Sequence, residues 1–207
     1  MTPETLLVPT DPSELVAVVD GFIAAGQAVA VALTDLDGFG LINESYGEKD
    51  ANAVLLACQR TLTGSLPSDA VVMRVGGDEF GVVLVDQSAE SALIVLEEIR
   101  AHLAGRPATA KVKEAIRMTA GIAAKPPHAT TGADLLRAAD QAMHRAKRDG
   151  GGRIAIYVEE KMVLKSNYYP RASLERLAKL SVATGRTEAS LLREALDTVL
   201  DANRDRV

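Results

Sequence analysis

Two apolar runs, AVVMRV at 70–75 and FGVVLV at 80–85, stand only four residues apart, with Gly76, Gly77, Asp78 and Glu79 between them. So short a link predicts that the second run folds back on the first as the other arm of an antiparallel hairpin. The glycine pair permits the positive φ of a tight turn and leaves two carboxylates at its tip. A third run, Ala28 to Leu33, is apolar on both faces and reads as a buried strand. Helices must then cover the sheet that these strands form.

The helices are legible from their spacing. Residues 12–26 carry Leu15, Val18, Val19 and Phe22 at helical intervals, and Gly26 ends them. A second helix from about Asp50 to Leu62 places Ala51, Leu55, Cys58 and Leu62 on one face. Ser88 caps a third, with Ala92, Leu96, Ile99 and Leu103 inward. After a loop at Arg106 to Lys113 and a strand at Ile116 to Ala124, Thr131 and Asp134 form a capping box. That fourth helix runs to about Arg148, where glycines 150–152 stop it, and Arg153 to Val158 is a last strand. The mixture predicts the α+β class, a mixed sheet with flanking helices. With no tryptophan and 3% aromatics, its core must be built from Ala, Val, Leu and Ile.

Acidic residues gather where strands end. Asp35 lies just past the first strand, in TDLDGF, and Asp78 and Glu79 lie at the hairpin tip. If those strands are neighbours, the three carboxylates converge on one sheet edge, an arrangement that suits Mg²⁺ and phosphoryl transfer. The residues alone leave a second reading equally open, in which these are loop acids and a plain turn.

The strings DLDGFGLINESYG (35–47), RVGGDEF (74–80) and LLRAADQAMHRAK (135–147) resemble, in order and spacing, the GGDEF domain of diguanylate cyclases. The resemblance covers roughly residues 12–158 and implies a palm-like fold and the joining of two GTP into cyclic di-GMP. It implies Mg²⁺ or Mn²⁺ held by Asp35, Asp78 and Glu79 with the Leu36 carbonyl. Asp78, Glu79 and Lys147 become the catalytic residues, Glu79 completing the metal site or helping to remove the 3′-hydroxyl proton and Lys147 on the terminal phosphates. Asn43 would bond guanine, the backbone of Phe39 and Gly40 would cradle phosphate, and Gly76, Gly77 and Asn52 would adjoin the substrate.

Three departures accompany the match. Gly40 stands where the family often has Lys, Ala51-Asn52 where it has Gly-Asp, and Gly151 where it has a basic residue. An amide at 52 both donates and accepts, so GTP alone and GTP with ATP are both open as substrates. The lost cations leave a rival function, a weak or inactive domain that senses GTP or a cyclic dinucleotide to regulate DNA binding. The RxxD product-inhibition motif is absent, since Leu66 stands three residues before Asp69.

The last fifth of the chain is different. Residues 161–207 hold nine Lys or Arg against six Asp or Glu, in a chain whose net charge is −5. A short strand at Val163 to Tyr168 is followed by Pro170, a helix with Leu174, Leu177 and Leu180, and Gly185. Thr187 then caps a second helix with Leu191, Leu192, Ala195, Leu196 and Val199 inward. So few residues cannot bury a core alone and need a partner. The segment resembles the ribbon-helix-helix family, which implies a homodimer or higher oligomer and double-stranded DNA as partner. Lys165 and Asn167 would read bases; Arg186 and Thr187, at the second helix's N-terminus, would grip phosphate. The domains expected are therefore 1–160, a GGDEF nucleotide cyclase, and 161–207, a ribbon-helix-helix module. No run is long enough to span a bilayer, no signal peptide is visible, and the single Cys58 suits a reducing compartment, so no membrane association and a cytoplasmic location are expected.

Overall fold

The computed structural model describes residues 5–159 and 167–203. The chain divides into two units, Met1–Glu160 and Lys161–Val207. In the first, α1 (Pro12–Ala24) is capped by Asp11, whose carboxylate accepts from the Ser13 N–H at 2.8 Å. It leads to β1 (Val29–Leu36), the centre of a five-stranded sheet. β2 (Val71–Arg74) and β3 (Glu79–Val85) form the expected antiparallel hairpin. With β4 (Met118–Lys125) and β5 (Ile154–Ile156) the order is β2-β3-β1-β4-β5, parallel only between β4 and β5.

Strand alternation sends side chains to two cores. Val29 and Val31 of β1 join Leu15 and Val19 of α1 and Leu135 and Ala139 of α5 (Gly132–Arg148). Ala30, Ala32 and Leu36 face the other way, toward Leu55 and Leu62 of α3 (Glu48–Ser65) and Leu96 and Ile99 of α4 (Ala89–Ala104). Two glycines let the helices approach. A methyl group at Gly121 of β4 would fall on the backbone of Ala139 and Met143, and one at Gly81 of β3 on Leu15. Gly81 thus makes room for Leu15 of α1, and Gly121 lets the backbone of α5 approach β4 closely.

Four expectations need correction. The first strand continues to Leu36, so Asp35 lies inside it: its polar residues end the apolar pattern, but ladders with β3 and β4 carry on. An unforeseen helix, α2 (Phe39–Tyr46), sits between left-handed Gly38 and positive-φ Gly47, too short to show a periodic stripe. α3 extends beyond the expected Asp50–Leu62 at both ends. Gly76 and Gly77 do not take positive φ. A Cβ at Gly76 would lie 2.7 Å from a Glu79 carboxylate oxygen, so the room is needed by the acid and not by the turn.

The second unit holds α6 (Arg171–Thr184) and α7 (Glu188–Ala202), joined through left-handed Gly185. The Thr187 hydroxyl accepts from the Ser190 N–H, the cap expected for α7. Of the strand expected at Val163 to Tyr168, residues 163–166, Lys165 among them, lie outside the described residues. Asn167 and Tyr168 are described and form no strand; the Tyr168 N–H is taken by the Asn167 side chain at 2.8 Å. Nor do the helices close over their own apolar residues. Leu191 is buried, but Leu196 and Val199 are each 59% exposed, with Leu174, Leu180 and Leu192 exposed as well. One helix pair has no second layer to bury both faces. Among the described residues no helix is long and apolar enough to cross a membrane.

Candidate active site

The sheet register brings two of the expected acids together. Asp35 of β1 stands directly opposite Glu79 of β3, and Asp78 precedes Glu79 at the end of the turn. Like charges opposite one another across strands are destabilising. The offset comes from α5, whose seat on Gly121 carries Lys147 to this edge: its Nζ lies 2.7 Å from Asp35 Oδ2. Asp35, only 9% exposed, sits at the bottom of the group.

The electrostatics follow from that crowding. Burial first, and then the charge of Asp35, push the Asp78 and Glu79 carboxyls above the usual carboxylate range. Burial disfavours the Lys147 ammonium, but its hydrogen bond to Asp35 and the charges of Asp35, Glu79 and Asp78 outweigh this and raise its pKa. The cluster therefore holds three carboxylates against one ammonium. Among the described residues no three His, Cys, Asp or Glu side chains are already gathered as a metal site. The donor set nonetheless fits a hard divalent cation: carboxylate oxygens, two of them destabilised by like charge, with Lys147 on the third.

One contributor was missed by sequence reasoning. Arg74, at the end of β2, donates its Nε–H to the Gly77 carbonyl at 3.1 Å and an Nη–H to the Leu7 carbonyl. It braces the turn that carries Asp78. Its place two residues before the glycine pair, as a lone cation in an apolar strand, was the available signal.

The other expected residues flank this edge. Phe39 and Gly40 open α2, so their N–H groups belong to a first turn without intrahelical acceptors. Phe39 is half-buried against the core and Gly40 exposed. Asn43 on α2 and Asn52 on α3 are both exposed, on helices that pack together. Leu36, the last residue of β1, is buried beside this edge, and Gly77 is exposed in the turn. Arg186 and Thr187 lie in the second unit, where an Arg186 guanidinium nitrogen is 2.7 Å from Glu194.

A central antiparallel strand, an acid-tipped hairpin beside it and helices on both faces constitute a palm-like fold. The family model for the diguanylate cyclase GGDEF domain matches residues 18–153, and the chain belongs to this family. A diguanylate cyclase of Vibrio cholerae is 32% identical over 131 residues, 63% of this chain and 40% of that protein. The cyclic di-GMP phosphodiesterase PdeR of Escherichia coli is 31% identical over 140 residues, 66% of this chain and 21% of that protein. The solved active GGEEF domain of a diguanylate cyclase from Vibrio cholerae superposes with a TM-score of 0.67 at 29% identity, covering 75% of this chain and 100% of that domain. The chain thus spans less than half the length of these two curated relatives, and the family match ends before the second unit.

Proposed function

We propose that the first unit condenses two GTP into cyclic di-GMP. The observation that carries this reading is the meeting of Asp35 and Glu79 across the β1–β3 ladder, with Lys147 delivered onto Asp35. In the reaction each 3′-oxygen bonds to the α-phosphorus of the other GTP, each hydroxyl proton is given up, and two pyrophosphates leave. Asp35, Asp78, Glu79 and the Leu36 carbonyl would hold Mg²⁺ or Mn²⁺, which would neutralise charge on the triphosphate and favour the ionised hydroxyl. Glu79, opposite Asp35 across the ladder, would complete that metal site or take the proton. Lys147 exchanges Asp35 for the terminal phosphates, and the first turn of α2 at Phe39 and Gly40 holds phosphate oxygens. Gly76 and Gly77 adjoin the substrate, and the open Cβ position of Gly77 leaves it room at the turn. Asn43 bonds the guanine, and Asn52 sets whether ATP is admitted beside GTP.

The second unit, in this reading, is a ribbon-helix-helix module that pairs two copies and binds double-stranded DNA. Support comes from the α6–Gly185–α7 arrangement with its Thr187 cap, and from the apolar residues that one copy leaves exposed. The condensation needs two loaded sites, which in this reading a second pair or bound DNA brings together. Lys165 and Asn167 would contact bases, and Arg186 and Thr187 phosphate.

The experiment is to incubate the protein with Mg²⁺ and GTP, ATP or both, and to identify products by mass, with Asp78→Ala as blank. Cyclic di-GMP from GTP alone is the expected result; a mixed dinucleotide makes Asn52 the specificity switch. Nucleotide bound without any product would overturn the synthase. It would favour a nucleotide-sensing regulator of DNA binding, the reading to which the missing cations at Gly40 and Gly151 point. A salt-dependent gel shift tests the DNA arm, since phosphate contacts weaken steeply with salt.

A further inference from the structure

We infer that Asp37 is a positioning residue for Lys147, an inference that rests on the nucleotide-binding part of the function just proposed. Of the two acids in Asp35-Leu36-Asp37, one holds the lysine itself and the other the turn that follows its helix. Asp35 takes the ammonium. Asp37 takes the backbone, through the glycine turn that follows α5. Its carboxylate accepts from the Gly152 N–H at 2.7 Å and from the buried Thr119 hydroxyl at 2.7 Å, and the Gly152 N–H also reaches the Thr119 oxygen at 2.8 Å. One and two residues back, the Gly151 and Gly150 N–H groups donate to the Ala146 and Lys147 carbonyls. Hydrogen bonds and the short peptide links between these glycines therefore connect Asp37 to the helix end that carries Lys147. Arg117 and Arg100 complete the clamp by donating to the Gly150 and Gly152 carbonyls, each at 3.2 Å.

The clamp also bears on the departure at position 151. Gly151 has φ +66°, and a Cβ there would stand 3.1 Å from both Asp37 carboxylate oxygens. A basic side chain would begin in tight contact with the acid, from a backbone conformation that favours glycine. The turn gives up a cation and gains a rigid mount for Lys147, which in this chain carries more of the terminal-phosphate binding.

The test measures dissociation constants of the full chain for a GTP analogue with a non-cleavable α–β bridge and for GMP, which lacks the terminal phosphates. Asp37→Ala, Thr119→Val and Thr119→Ser are compared, each with and without Lys147→Ala. Asp37→Ala and Thr119→Val should weaken the triphosphate analogue about tenfold and leave GMP unchanged. Thr119→Ser should behave as the wild type, and Asp37→Ala should add nothing in the Lys147→Ala background. Equal losses for both nucleotides, the same loss without Lys147, or no loss would overturn the inference. Should Asp37→Ala fail to fold, Thr119→Val keeps the side chain's shape and decides the matter. Analogue binding without product from GTP would overturn the synthase and leave these comparisons valid; no analogue binding by the wild type would overturn both.

Discussion

The two units use the same kinds of residue to opposite effect. In the first, Leu15, Leu62, Leu96 and Ile99 are essentially inaccessible, because a sheet with helices on both faces offers every apolar stripe a partner. In the second, α6 and α7 carry leucines and a valine at equally regular spacing, yet Leu191 is the one hydrophobic residue buried among those described. The contrast teaches that helical periodicity specifies a face to be covered and is silent about what covers it. In the first unit the covering element is in the chain; in the second, on our reading, it is another copy.

Cys58 is the most sensitive probe of the first unit's core. It is buried in the first unit, and desolvation pushes its thiol up to about 12. In native protein at pH 8, a thiol reagent should react with it at least about a thousandfold more slowly than in denatured chain. Reaction at the denatured rate would mean that the first unit lacks a cooperative core.

Leu96→Ala should cost the first unit about 3 kcal/mol in chemical denaturation, by creating a cavity where α4 packs. The matching truncation in the second unit, Leu196→Ala, should leave that transition in place. A shift of similar size from both would show that the units share one core.

Leu196→Asp places a charge on the exposed face of α7. In sedimentation equilibrium it should weaken self-association about thirtyfold, roughly 2 kcal/mol of lost apolar burial, while Cys58 stays protected. Unchanged association would refute the covering of this face by a second copy.

The smallest effect concerns the site. The carboxyl of Asp78 has a folded pKa above its ordinary value. The stability it contributes is therefore present below the ordinary carboxylate range and is lost as pH rises through the folded value. At pH 7 its charge is a liability, so Asp78→Asn should stabilise the first unit by about 1 kcal/mol while abolishing product formation. Thermal melts at pH 7 and in the acid range check the sign: the gain should shrink as pH falls.

Most of the first unit was legible because its signals are short-ranged. Ser88, Thr131 and Gly26 work within one helical turn, and the hairpin needs only four residues to declare itself. Legibility failed where structure depends on distant partners. Asp35 and Thr34 read as loop because their polarity ends the apolar run, whereas two neighbouring strands keep them in the ladder. The helix at Phe39–Tyr46 was hidden between two glycines that sequence treats as breakers and that act here as its ends. Gly76 reads as a turn glycine, although its lack of a side chain leaves room for Glu79.

The same boundary runs through the candidate site. Which residues are acidic, which helix ends in Lys147 and where glycines interrupt the chain were all determined by the sequence, since each is a property of a few consecutive residues. That Asp35 faces Glu79, that Lys147 arrives at Asp35 and that Asp37 grips Gly152, 115 residues away, were decided by the tertiary structure. Those meetings depend on strand order and on the close seat of α5 over Gly121. Both are packing outcomes, set by which buried surfaces fit together, and no local pattern encodes them.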